Sequence, residues 1–144
     1  MKIRDQVKAF HVAMNLPVLD KPQIPSDDRV RLRLNLIAEE SFEIFEACGI
    51  DVKALKEQLF SKIRESELKI DMPKLVDGFG DTDYVVEGAR LEFGVDGEGI
   101  ADEIQAANMR KTNGPIREDG KRLKPPGWVG PDIEKVLREQ GWAA

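Results

Sequence analysis

Residues 31–48, R-L-R-L-N-L-I-A-E-E-S-F-E-I-F-E-A-C, constrain this chain more than any other stretch. The spacing predicts one amphipathic helix whose stripe of Leu36, Ile37, Ile44 and Ala47 should face a core. Glu40 and Glu43 fall on that same stripe, with Glu39 alongside. Carboxylates are seldom buried unless something compensates their charge. Glu39, Glu40, Glu43 and Glu46 also repel one another at i,i+3 and i,i+4. A cation held among them relieves both problems; a solvated acidic edge beside a core stripe is the plainer alternative.

A second helix repeats the anomaly. In K-L-V-D-G-F-G-D-T-D-Y-V-V-E-G-A-R, Leu75, Phe79, Val86 and Phe93 follow a core stripe, while Asp77 and Asp81 share an adjoining one with Tyr84, Val85 and Gly88. Each glycine in a helix interior costs about 1 kcal/mol relative to alanine. Gly78, Gly80 and Gly88 are therefore poor choices unless another helix or a ligand comes close. If the two helices pack antiparallel, Glu40 and Glu43 can face Asp77 and Asp81. Oxygen-only donors of this kind suit Mg²⁺ or Mn²⁺ rather than zinc, which prefers His or Cys. Two such ions about 4 Å apart would activate a water for attack on a phosphoryl group.

The remaining pattern is helical too. Ile3, Val7, Phe10 and Met14 mark a first helix over 3–15, and Ser26, Asp27 or Asp28 can cap the acidic helix. Gly49 suits its end, and Asp51 can cap a third helix reaching about residue 69, with Val52, Leu55, Leu59 and Ile63 on one face. Pro73 suits the first turn of the helix over 74–93 and Gly94 its end. A further helix spans 98–111, and after Asn113 turn signals dominate until a short helix over 132–139. The class is all-α. With 144 residues, one domain over 1–144 is expected, its core aliphatic because aromatics are few.

Charge and composition narrow the function. A net charge of -5 argues against nonspecific nucleic-acid binding, which needs a basic face. No apolar run approaches membrane-spanning length and no signal-peptide hydrophobic region opens the chain, so a soluble cytoplasmic protein is expected. The single cysteine, Cys48, is read as a small buried side chain, and the single histidine, His11, as a packing or surface residue. No histidine stands ready to activate a covalent nucleophile.

The pairing of E-E-x-x-E with a later D-x-x-x-D-x-x-Y-V-x-x-G resembles the all-α nucleoside triphosphate pyrophosphohydrolases, the superfamily of MazG, HisE and the dimeric dUTPases. The likeness is strongest to small MazG-like and HisE-like members of phages and bacteria. It continues through A-A-N-M-R-K and R-E-D-G-K-R-L-K-P-P-G-W, covering residues 28–132. It implies a MazG-like bundle of four to five helices, with an irregular loop and short helix over 113–144, assembled as a homodimer or homotetramer with each site built from one or two subunits.

Residue by residue, the resemblance makes Glu40 and Glu43 metal ligands for Mg²⁺ or Mn²⁺ and Asp81 the aspartate of the second metal motif. That motif would place a glutamate where this chain has Gly78, so Asp77 is the substitute ligand. Glu39 either completes a second metal site or orients the attacking water, and Glu39 or Glu40 is the candidate base. Asn108 and Lys111 match a phosphate-contacting Asn-x-x-Lys; Tyr84 and Lys124 are further candidate substrate contacts. Arg117, Lys121, Arg122 and Lys124 either close a loop over the triphosphate or form a solvated basic tail. Phe10, His11, Met14 and Asn15 lie at a depth suited to the base. The implied reaction converts a nucleoside triphosphate, with dGTP and dUTP as candidates, to a monophosphate and pyrophosphate. Phosphoribosyl-ATP hydrolysis is the enzymatic alternative, and a non-catalytic partner-binding module with an acidic face the alternative from another class.

Overall fold

Side-chain caps fix where most helices of this chain begin. A computed structural model describes residues 2–143. In order it contains α1 (Ile3–Ala13), α2 (Asp27–Ala47), α3 (Lys53–Glu65), α4 (Met72–Phe93), α5 (Gly97–Met109) and α6 (Ile133–Glu139). Among the described residues there is no strand, only an isolated antiparallel bridge between Ile116 and Arg122. Ser26 accepts from the Arg29 amide, Asp71 from Lys74, Asp96 from Glu98 and Asp132 from Lys135. Each bond satisfies an amide that a first helical turn leaves unpaired. Asp51 does the same for the Lys53 amide at 3.0 Å, although Val52 is the residue at the α3 boundary. Gly49 (φ 80°) and Gly94 (φ 70°) end α2 and α4 in the left-handed conformation that glycine adopts without penalty.

The chain forms two compact units. One comprises the residues up to Pro22, Asp71–Ile116 and the residues from Arg122 on; the other comprises Gln23–Ile70 and Arg117–Lys121.

In the first unit α1 packs on α5 and α5 on α6, with Met14, Ala107 and Val136 buried. Gln6, 5 % exposed, satisfies its buried amide by donating from Nε2 to Asp102 Oδ1 at 2.5 Å. His11 donates from Nδ1 to the Pro17 carbonyl at 2.8 Å, which fixes the turn after α1 and gives the histidine a packing role. Helix α4 is different: none of its 22 residues is buried. Leu75 and Val86 are half-buried, but Phe79 and Phe93, expected in a core stripe, lie open, as do Tyr84, Val85 and Leu91. The correction has a plain cause, since no helix of this unit packs along α4 as α1 does along α5. No atom within 4 Å would meet a Cβ added at Gly78, Gly80 or Gly88, so no close approach within the chain accounts for them.

In the second unit α2 packs on α3, with Val30, Leu32, Ala38 and Val52 buried. Arg31 donates from Nε to the Ile63 carbonyl (3.1 Å) and from Nη2 to the Ser66 carbonyl (2.8 Å), placing a cation at the negative end of α3. Phe42 and Phe60 meet edge to face at 6.1 Å. Ile37, Ile44 and Ala47 are exposed rather than in the core, and so are Leu55 and Leu59 of α3. Within this unit α3 is the helix that packs on α2, and one helix covers one side of another, while Leu32 lies beside Gly120 of the turn over 117–121. Cys48 is also exposed, at the residue where α2 ends, not buried as its type suggests. Among the described residues no helix is long and apolar enough to cross a membrane.

Candidate active site

Helix α2 holds three of the candidate residues within two turns, and the turn Arg117–Lys121 closes over the first of them. Arg117 Nη2 lies 2.9 Å from Glu39 Oε1, and Lys121 Nζ donates to Glu39 Oε2 at 2.7 Å. Both oxygens of Glu39 are thus engaged by cations. The turn is braced from inside, because Asp119 accepts from Arg117 Nε at 2.7 Å and Nη2 at 2.6 Å and from the Lys121 amide at 3.3 Å. Gly120 (φ 99°) sits above Arg29 and Leu32, where a Cβ would come 3.3 Å from the Arg29 guanidinium.

These contacts set the charges. Partial burial works against ionising Glu39, but the hydrogen bonds from Lys121 and Arg117 outweigh it and hold the carboxyl below its usual value. Arg117 holds Asp119 low in the same way. Glu40 is shifted upward, first by loss of water around its carboxyl group and then by the charge of Glu43 and a hydrogen bond shared with it. Glu40 and Glu43 are therefore a like-charge pair on one side of α2, and their repulsion would be eased by a cation between them. Glu46 is engaged elsewhere, accepting from Lys56 Nζ at 2.9 Å.

Sequence reasoning passed over Asn35, one helical turn before Glu39. Its Oδ1 is enclosed with no hydrogen-bond partner among the described residues. An asparagine at helical spacing from an acidic cluster was the available signal, and its placement among apolar residues hid it.

In the first unit Asp77, Asp81 and Tyr84 stand exposed on α4, Tyr84 by 82 %. Asn108, at the end of α5, lines a cavity of about 720 Å³ together with Gln6, Ile100 and Ile104. Lys111 and Lys124 each place Nζ 5.0 Å from the centroid of the Trp128 ring. Met14 is used in the core and His11 on the Pro17 carbonyl. Among the described residues no group of three or more His, Cys, Asp or Glu side chains is placed so that it could hold a metal. The oxygen donors fit Mg²⁺ or Mn²⁺ in kind, two of them on α2 and two on α4.

The family model of phosphoribosyl-ATP pyrophosphohydrolases matches residues 7–108. The chain belongs to this family. It is a pyrophosphohydrolase of the MazG-like all-helical superfamily, and a non-catalytic binding module is thereby set aside. A solved structure from Exiguobacterium sp. 255-15, of a protein assigned as an NTP pyrophosphohydrolase, is 25% identical; the match covers 96% of each chain with a TM-score of 0.66. No curated protein matches the chain. The matched span contains Glu39, Glu40, Glu43, Asp77, Asp81 and Asn108, while Lys111, the Arg117–Lys121 turn, Lys124 and Trp128 follow it.

Proposed function

We propose that this pyrophosphohydrolase cleaves the bond between the α- and β-phosphates of a deoxynucleoside triphosphate, with dGTP and dUTP as the first candidates. A bond forms from water oxygen to the α-phosphorus, the bond to the bridging oxygen breaks, and pyrophosphate leaves with that electron pair. The observation that carries the reading is the Glu39-Glu40-x-x-Glu43 face with two cations closed over it by the turn Arg117–Lys121.

In this reading Glu40, Glu43, Asp77 and Asp81 hold Mg²⁺ or Mn²⁺, whose chemistry when bound is to neutralise phosphate charge and acidify water. Asn108 and Lys111 contact sugar and phosphate, with Tyr84 and Lys124 as further substrate contacts. The water's proton goes to Glu39 or Glu40. Glu39 takes that part only by releasing Arg117 or Lys121, which frees a cation for the phosphate chain. The working form is a cytoplasmic homodimer or homotetramer, supported by the apolar surface that α4 leaves open.

Phosphoribosyl-ATP is the second candidate substrate, favoured by the description of the family that the chain joins. The two readings separate in one assay. The protein is incubated with each ribo- and deoxynucleoside triphosphate and with phosphoribosyl-ATP in Mn²⁺, and the products are resolved. Monophosphate with pyrophosphate from a deoxynucleotide supports the first reading. Turnover of phosphoribosyl-ATP alone replaces it with the second, and nucleoside diphosphate with inorganic phosphate rules out attack at the α position.

A further inference from the structure

Beyond the span that the family model matches, one indole gathers two lysines. Lys111 follows α5 and Lys124 lies in the loop before α6, yet both ammonium groups sit 5.0 Å from the same Trp128 centroid, within twice that distance of each other. Two cations repel, so a ring that attracts both favours the arrangement. The negative face of an indole is the best aromatic partner for an ammonium ion.

The ring itself is fixed from several directions. Trp128 Nε1 donates to the carbonyl of Ala107 at 2.8 Å, and Ala107 is 1 % exposed in the core of its unit. The Trp128 amide donates to the Pro125 carbonyl at 3.1 Å, closing a turn in which Gly127 has φ 73°. Arg110 grips the next residues, donating from Nε and Nη2 to the Val129 carbonyl at 3.2 and 2.9 Å. The segment carrying Lys124 is tied down as well: the Leu123 amide donates to the Pro115 carbonyl at 2.7 Å, and Arg122 donates to the Gly114 carbonyl at 2.8 Å. A Cβ at Gly114 would lie 1.7 Å from the Leu123 carbonyl oxygen, so this crossing admits glycine alone. An indole anchored at this many points can help set the positions of long side chains laid on it.

We propose that Trp128 is a positioning residue of the pyrophosphohydrolase: its ring assembles Lys111 and Lys124 into one cationic seat for the β,γ-diphosphate of the substrate, which is also the pyrophosphate product. The proposal rests on the pyrophosphohydrolase reading and adds to it a residue that touches neither metal nor substrate. Lysine ammonium groups are flexible point charges on four-carbon stems, and holding two of them in place before phosphate arrives lowers the ordering cost of binding. The ring acts through the lysines, so its removal should raise KM more than it lowers kcat.

Binding of inorganic pyrophosphate by calorimetry tests this without turnover. Trp128→Ala should weaken pyrophosphate on the order of 3- to 10-fold, and Trp128→Phe, which keeps an aromatic face, should stay within about 2-fold of the parent protein. Because Trp128→Ala also loses packing, the Lys124→Ala and double variants complete a cycle. A double variant no weaker than about either single one supports positioning through Lys124. Strictly additive losses overturn it, as does equal weakening by Phe and Ala in folded protein, or a parent protein that binds no pyrophosphate. The product assay described above judges the reaction separately: pyrophosphate binding that follows this pattern in a protein lacking turnover would sink the catalytic reading and leave the lysine seat standing.

Discussion

Glu39 Oε2 lies 2.7 Å from Lys121 Nζ, joining residues 82 positions apart in the chain. With Arg117 on the other oxygen, this carboxylate is what seats the turn Arg117–Lys121 on α2. Glu39→Gln keeps the shape and removes the charge, so amide exchange across 117–121 should accelerate several-fold while α2 itself stays protected. The global loss should be small, about 0.5–1 kcal/mol, because the pair is only partly buried. Hydrogen exchange followed by mass spectrometry reads both regions at once. Unchanged exchange in the turn would mean that Asp119 and Gly120 hold it without Glu39.

Glu40 is different in kind. Its neighbour Glu43 repels it, and no protein cation is paired with it among the described ion pairs. Glu40→Gln should therefore leave the melting temperature equal or higher, because it removes a like-charge contact. On the proposed reaction it should cut pyrophosphate release by roughly 100-fold or more. Wild-type turnover in a folded Glu40→Gln protein would remove this residue from the mechanism.

The brace inside the turn gives a pH dependence of defined sign. Asp119 is held below its usual value by Arg117, so the unfolded state binds its proton more readily than the folded one. Its stabilisation is complete above the unfolded value of about 3.9 and disappears as pH falls through the lower folded value. Urea unfolding free energies of the parent and of Asp119→Asn should differ at pH 6, by at most about 1 kcal/mol, and converge as pH falls below the folded value. A gap that persists at low pH would assign the effect to packing instead.

Helix ends were legible because they are local. Ser26, Pro73 and Gly94 act within one turn of the chain, and each lies at the boundary that its chemistry suits. The acidic helix begins at Asp27, directly after its Ser26 cap; its first turn is polar, so the cap and not an apolar period marks that start. Periodicity also says which residues share a side of a helix, not what covers that side. Hence Ile37, Ile44, Phe79 and Phe93 were expected inside and are found exposed. The Glu39–Lys121 pair and the Trp128–Ala107 bond join residues 82 and 21 positions apart, separations that no local pattern encodes; the basic loop residues could be named, but not their partners.

The exposed apolar residues of α4 yield the last prediction. Leu91 and Phe93, the latter 80 % exposed, lie on a helix that also carries Val85 and three glycines with open space around them. Apolar side chains at this density on one helix gain free energy only when something covers them. Glycine lets a second backbone approach where a larger residue would block it. A second copy of the chain satisfies both, so the parent protein should sediment at a multiple of 16.2 kDa. Val85→Glu and Leu91→Glu should each shift it toward the single-chain mass, whereas Lys62→Glu on exposed α3 should not. Turnover should fall with assembly if the donors of α4 act across the copies, and the loss should reverse at high protein concentration. Single-chain sedimentation of the parent protein at every concentration would leave the exposed apolar residues of α4 without this explanation.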